Sequence, residues 1–245
     1  MRSIRLLVLF LFAFGAVPGL FAGPCASALL SVYDTSGFTC TQTLGSYTFT
    51  AKDVSYTLIS GTIAIADTDI LVTPVSGVTS VYGAPQPYFG LEFSSGKFSV
   101  TGSDTAKYLL TYFWDPGDIR GFVDILDDPV VPPGLAKIAT DFCFNGEFGV
   151  ACPPATGTVT VSDNGTTPHL VDKSVPLSGA CNPLCTIGVQ NTIELDGGGA
   201  GGSAEFTDFV NQVVVGPEPG TWTGGLLVLA ILAGRFRRRG ARSIE

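Results

Sequence analysis

Apolar side chains recur at every second position along the middle of this chain, and that spacing constrains its fold more than any other feature. Tyr47 and Phe49, then Val54, Tyr56 and Leu58, then Ile63 and Ile65, then Ile70 and Val72 each place apolar groups on one face of an extended segment. Leu91 with Phe93, Phe98 with Val100, the runs 108–114 and 122–126, and Val159 with Val161 continue the pattern. The segments follow one another at intervals of about ten residues and are separated by Gly, Pro, Asp or Ser, as in a sandwich or jelly roll and unlike a parallel α/β sheet. Composition agrees: one Met and 31 Gly, with little Lys or Glu in the middle, favour strands joined by tight turns. The expected fold class is all-β, a single antiparallel β-sandwich or jelly-roll-like domain over 24–210.

Turn chemistry supports the strand spacing. Asp115-Pro116-Gly117-Asp118 has a proline to fix one dihedral and a glycine to permit a positive one, and Asn145-Gly146 suits a two-residue hairpin. The glycine-rich stretch 197–202 is followed by no Lys-Ser or Lys-Thr and no helix signal, so it reads as a loop and not as a phosphate cradle.

Charge narrows the function classes. The net charge is -8, yet Arg2, Arg5, Arg235, Arg237, Arg238, Arg239 and Arg242 all stand near the two ends. Between Pro24 and Gly216 there are six basic residues against nineteen acidic ones. A surface that acidic repels phosphate backbones, so no nucleic-acid partner is expected, and an anionic glycan would need a bridging cation.

The beginning of the sequence, Met1-Arg2-Ser3-Ile4-Arg5, is cationic and leads into an apolar run over 6–16. That run is too short to span a bilayer comfortably and matches the apolar core of a signal peptide, expected over 1–23 with cleavage after Ala22 or Gly23. A lipidated Cys25 is disfavoured by Pro24 before it. Near the close of the sequence stand Pro217-Glu218-Pro219, then a nearly uniform apolar run over 221–234, then Arg235, Arg237, Arg238 and Arg239. Two prolines around Glu218 block helix and sheet pairing and hold an extended segment. As a helix the apolar run would reach roughly 21 Å, against a hydrocarbon core of about 30 Å. A short transmembrane helix over 221–234 is expected, after a linker over 211–220 and before a basic cytoplasmic tail over 235–245 that leaves the long middle region outside.

The three-part tail resembles the PEP-CTERM sorting signal. The resemblance covers the last thirty or so residues and implies export through an inner-membrane intermediate. It further implies cutting near Pro217, Glu218 and Pro219 by an exosortase-type membrane protease, then delivery to the surface of a bacterium that makes extracellular polysaccharide, itself a candidate partner. The arginine cluster would be the element retained at the membrane. The tail says little about the domain before it, which is expected to be structural or adhesive.

Six cysteines in an exported chain read as disulfides, because that compartment is oxidising. Proximity along the chain pairs Cys25 with Cys40, Cys143 with Cys152, and Cys181 with Cys185. The stretch between Cys25 and Cys40 also resembles the start of many PEP-CTERM ectodomains. Zinc ligation would need paired short spacings, and the only histidine, His169, stands apart from every cysteine, so no metal centre and no cofactor are expected. No Gly-x-Ser-x-Gly elbow occurs, and His169 reads as a loop or strand-edge residue, so no catalytic residue is assigned.

Three alternatives remain. Asp67 and Asp69 would share a face if 63–72 were one strand, and Asp124, Asp127 and Asp128 precede a proline-rich turn, so calcium or two-carboxylate hydrolysis can be drawn from them. Trp114, Tyr82 and Tyr88 could instead stack on sugar rings, with 82–88 as a loop that keeps its aromatics out of regular pairing.

Overall fold

The computed structural model describes residues 23–45, 47–83, 85–115, 119–127, 132–144, 148, 157–174 and 186–216. The expected signal peptide before Gly23, the Pro217-Glu218-Pro219 motif, the 221–234 segment and the arginine cluster lie outside these residues, as do Cys152, Cys181, Cys185, Asp128 and the turns at 116–118 and 145–146.

The described chain is all-β. Its strands are β1 (Gly23–Pro24), β2 (Ala28–Leu29), β3 (Thr39–Leu44), β4 (Tyr47–Gly61), β5 (Leu71–Thr79), β6 (Gln86–Ser94), β7 (Ser99–Thr101) and β8 (Thr105–Asp115). They continue with β9 (Ile119–Asp127), β10 (Leu135–Phe144), β11 (Gly157–Asp163), β12 (Val171–Lys173), β13 (Ile187–Asp196), β14 (Ser203–Glu205) and β15 (Asp208–Val215). One helical turn, α1 (Leu30–Tyr33), and a 3-10 turn at Asp67–Asp69 interrupt them.

Two sheets carry the architecture, one ordered β1-β3-β4-β8-β13-β10-β11 and the other β12-β9-β15-β6-β5-β2. Among the described residues every pairing is antiparallel except the short β1/β3 contact. The sheets pack face to face as a β-sandwich. Phe49 of β4 stacks on Phe89 of β6 with ring centres 4.7 Å apart, Trp114 of β8 meets Phe122 of β9, and Phe122 stacks on Phe142 of β10 at 5.4 Å. Period two places these groups: Ala106, Tyr108, Leu110, Tyr112 and Trp114 of β8 are all buried, while the residues alternating with Ala106 to Tyr112 are only partly covered. At one end, the two-stranded sheet β7/β14 brings Phe98 and Phe206 to 4.5 Å, and Phe93 stacks on Phe209 at 5.0 Å.

Four expectations change. The segment 63–72 is not one strand, because tyrosine hydroxyls replace a ladder there: Tyr108 donates to the Ile63 carbonyl at 3.0 Å and accepts from the Ile65 N–H, and Tyr56 donates to the Ile65 carbonyl. Asp67 and Asp69 therefore sit in the 3-10 turn and share no strand face. The sandwich does not end at 210, since β15 runs to Val215 between β6 and β9, with Val213, Val214 and Val215 buried. Residues 211–215, expected as linker, are thus core strand. Finally, Tyr88 lies inside β6, paired with Gly77 on one side and Val214 on the other.

The cysteine expectation holds where it can be followed. Cys25 and Cys40 form a disulfide across 15 residues of sequence, and the Cys25 N–H donates to the Thr41 carbonyl at 2.9 Å. Closing a loop of that length contributes about 3 kcal/mol in the chain-entropy account. Cys143 is buried and disulfide-bonded.

Candidate functional site

The sugar-stacking residues come apart in the fold. Trp114 is wholly buried between the sheets, packed against Phe49, Tyr112 and Phe122, and presents no ring face to solvent. Residues 112–114 read Tyr-Phe-Trp, three large side chains in succession close to the end of β8, and all three are buried. The Tyr82 hydroxyl is held by the Phe122 carbonyl, the Ser174 carbonyl and the Ser174 hydroxyl, at 3.0 to 3.2 Å. Gly121 makes that approach possible, since a Cβ there would fall 2.1 Å from the Tyr82 oxygen. Tyr82 is a latch between a loop and the β9 edge.

His169 stands at a sheet edge, as expected. Its backbone pairs with Ser162 through bonds of 2.6 and 2.8 Å, and its exposed ring lies 3.6 Å from a carboxylate oxygen of Asp172. The other Asp172 oxygen accepts the Thr160 N–H at 2.7 Å, so this carboxylate occupies a backbone donor on the edge strand β11. Among the described residues, no group of three or more His, Cys, Asp or Glu side chains is placed to hold a metal ion.

The densest chemistry lies inside the sandwich. Asp124 of β9, Asn211 of β15, Tyr112 of β8, Asn191 of β13 and Thr140 of β10 are all buried. Asn211 and Asp124 are direct cross-strand partners in one sheet, and Asn191 and Thr140 are direct partners in the other. The Tyr112 hydroxyl donates to Asn211 Oδ1 at 2.7 Å, and Asn211 Nδ2 donates to Asp124 Oδ1 at 2.7 Å. In the facing sheet, the Thr140 hydroxyl donates to Asn191 Oδ1 at 2.6 Å. Tyr112 thereby ties the two sheets through a polar bond, as does Gln42 of β3, whose Nε2 donates to the Gly90 carbonyl of β6 at 3.0 Å.

Electrostatics make this cluster neutral. Burial pushes the Asp124 carboxyl up to about 8; the Thr140 hydroxyl and the Asn211 amide work against the rise, and the Asp172 carboxylate adds to it. Asp124 is therefore a protonated acid at neutral pH. The Tyr112 hydroxyl is pushed well above its ordinary value, first by burial and then by Asp124. Asp124 Oδ2, Asn191 Nδ2 and the Trp114 indole nitrogen have no hydrogen-bond partner. Unpaired buried groups of this kind cost roughly 1–3 kcal/mol each, so the cluster stabilises only through the bonds it does complete.

Sequence reasoning passed over four of these five residues, although the signal was present. Asn191 alternates with Val189 and Ile193, Asn211 with Phe209 and Val213, Thr140 with Ile138 and Phe142, and Asp124 with Phe122 and Leu126. Each is a polar group on the apolar phase of its strand. Asp124 drew attention only as part of an acidic cluster with Asp127 and Asp128, a surface calcium or hydrolase reading that its burial removes.

Two surface hollows stand apart from this cluster. One of about 140 Å³ lies beside Phe98, Glu205 and Phe206, and one of about 310 Å³ lies beside Val32, Tyr33 and Phe38. Neither is lined by Asp124, His169, Tyr88 or the 3-10 turn. No protein-family model matches the chain, and no curated protein matches it.

Proposed function

We propose that this chain is an exported bacterial surface or extracellular-matrix protein with a structural or adhesive β-sandwich, delivered by a PEP-CTERM tail and cut by an exosortase-type membrane protease. The observation that carries the reading is the order Pro217-Glu218-Pro219, apolar run, arginine cluster, placed directly after the last core strand. β15 ends at Val215, so a cut at the motif removes no strand of the described sandwich. A signal cut after Ala22 likewise keeps Gly23, whose backbone pairs with Cys40.

Two properties of the domain suit an extracellular scaffold. A disulfide closes one margin of the sandwich, and the acidic surface keeps an exposed domain soluble. Its buried polar groups bond to one another, within each sheet and once between the sheets through Tyr112 and Asn211. The route runs from an inner-membrane intermediate, held by Arg235, Arg237, Arg238 and Arg239 on the cytoplasmic side, to the cell surface, where matrix polysaccharide is the candidate partner.

Intact-mass measurement of the surface form from the native host tests the reading. The expected product ends near Pro217-Glu218-Pro219 and lacks the arginine cluster, and replacing 217–219 by alanines leaves the chain uncut in the membrane. A mature surface protein that still carries Arg235 to Arg239 overturns it.

A further inference from the structure

The turn that follows β11 reads Asp163-Asn164-Gly165-Thr166-Thr167, and 164–167 are exposed. Its hydrogen bonds converge on one side-chain carbonyl. Asn164 Oδ1 accepts the backbone N–H of Thr166 at 3.0 Å and of Thr167 at 2.8 Å. It also accepts the hydroxyls of Thr166 at 2.9 Å and Thr167 at 3.2 Å. The Gly165 N–H points the other way and donates to Asp163 Oδ1 at 2.7 Å.

Each bond bears on the same reaction. Four donors draw electron density from the Asn164 carboxamide carbon and face its oxygen as negative charge develops there. The Asp163 carboxylate holds the hydrogen that the Gly165 nitrogen must lose to become a nucleophile. Nucleophile and electrophile are adjacent in the chain, and glycine, at φ 71°, brings no Cβ to obstruct their approach.

We infer that Asn164-Gly165 is a self-modifying link, at which the folded turn promotes cyclisation of its own backbone and converts Asn164 to isoaspartate and aspartate without an enzyme. The Gly165 nitrogen forms a bond to Asn164 Cγ as the bond from Cγ to Nδ2 breaks. The Gly165 hydrogen passes by way of Asp163 to the departing nitrogen, which leaves as ammonia and leaves a five-membered imide. One solvent water then opens the ring, at Cγ to give aspartate or at the backbone carbonyl to give isoaspartate. No redox partner is required. The site borders the Ser162/His169 bridge, so isoaspartate lengthens the loop that this pair closes and adds a negative charge to it.

The test follows the purified full chain at neutral pH and moderate temperature, with peptide mapping and isoaspartate-specific methylation as readouts. The reference is the same chain unfolded in guanidinium chloride. Conversion at Asn164 is expected to be at least as fast in the folded protein as in the unfolded chain. Asp163→Asn and Thr167→Ala are each expected to slow the folded protein by roughly tenfold or more while leaving the unfolded rate unchanged. Thr167 is exposed, so its replacement tests the carbonyl contacts even where Asp163→Asn disturbs folding. Slower conversion in the folded protein than in the unfolded chain, or a folded rate indifferent to Thr167→Ala, overturns the inference.

Discussion

At the β7/β14 end of the sandwich, Phe93, Phe98, Phe206 and Phe209 stack ring on ring. Next to them, where Phe93 meets Tyr112 at 6.1 Å, the interior turns polar and is held by Tyr112, Asn211 and Asp124. Both regions are buried, yet they respond to damage differently. Dispersion and area burial are summed over many weak contacts and fall gradually with lost volume. A hydrogen-bonded cluster in low dielectric fails by pairs, because each deletion leaves a partner unpaired. The aromatic end supplies stability; the polar centre fixes which residues oppose one another across the sheets.

The largest effect is expected from Phe209→Ala, which empties the aromatic end and should lower unfolding free energy by about 3–5 kcal/mol in chemical denaturation. Asn211→Ala removes less volume but strands the Tyr112 hydroxyl and one Asp124 oxygen, and about 2–4 kcal/mol should be lost in the same measurement. A loss below 1 kcal/mol there would show that the polar centre contributes no more than its bulk.

Acidity separates the regions more sharply. The Asp124 carboxyl is raised in the folded state to about 8, above its unfolded value near 4, so the folded state holds a proton that the unfolded chain releases. Its contribution is fully present below pH 4, falls by about 1.4 kcal/mol per pH unit between 4 and 8, and then levels. Asp124→Asn should remove that slope and leave Phe209→Ala's cost unchanged at every pH. Identical pH profiles for wild type and Asp124→Asn would refute a neutral buried acid. The smallest effect is in the facing sheet: Thr140→Val should cost about 1 kcal/mol by unpairing Asn191 Oδ1, and Thr140→Val with Asn191→Leu should recover most of it.

Strand phase was legible where apolar groups alternate with polar ones, as at Leu91 with Phe93 and Val159 with Val161, and the Cys25–Cys40 pair was legible from proximity alone. It failed where the pattern loses its phase or where a distant group intervenes. Tyr112, Phe113 and Trp114 are consecutive, so no alternation says which face Trp114 takes, and in the fold all three are buried. Ile63 with Ile65, and Ile70 with Val72, each have the spacing of a strand. The hydroxyl of Tyr108, more than forty residues away in sequence, instead captures both the Ile63 carbonyl and the Ile65 N–H.

By itself the sequence determined the β class, the phase of several strands, the first disulfide, and an order of segments at its two ends that resembles an export and sorting address. These depend on neighbours along the chain, through side-chain alternation and short loop closure. Which polar residues meet in the interior, which carboxyl is held neutral and which tryptophan is lost to solvent were decided only when two sheets met face to face. Desolvation and cross-sheet bonding act between residues that the chain holds far apart.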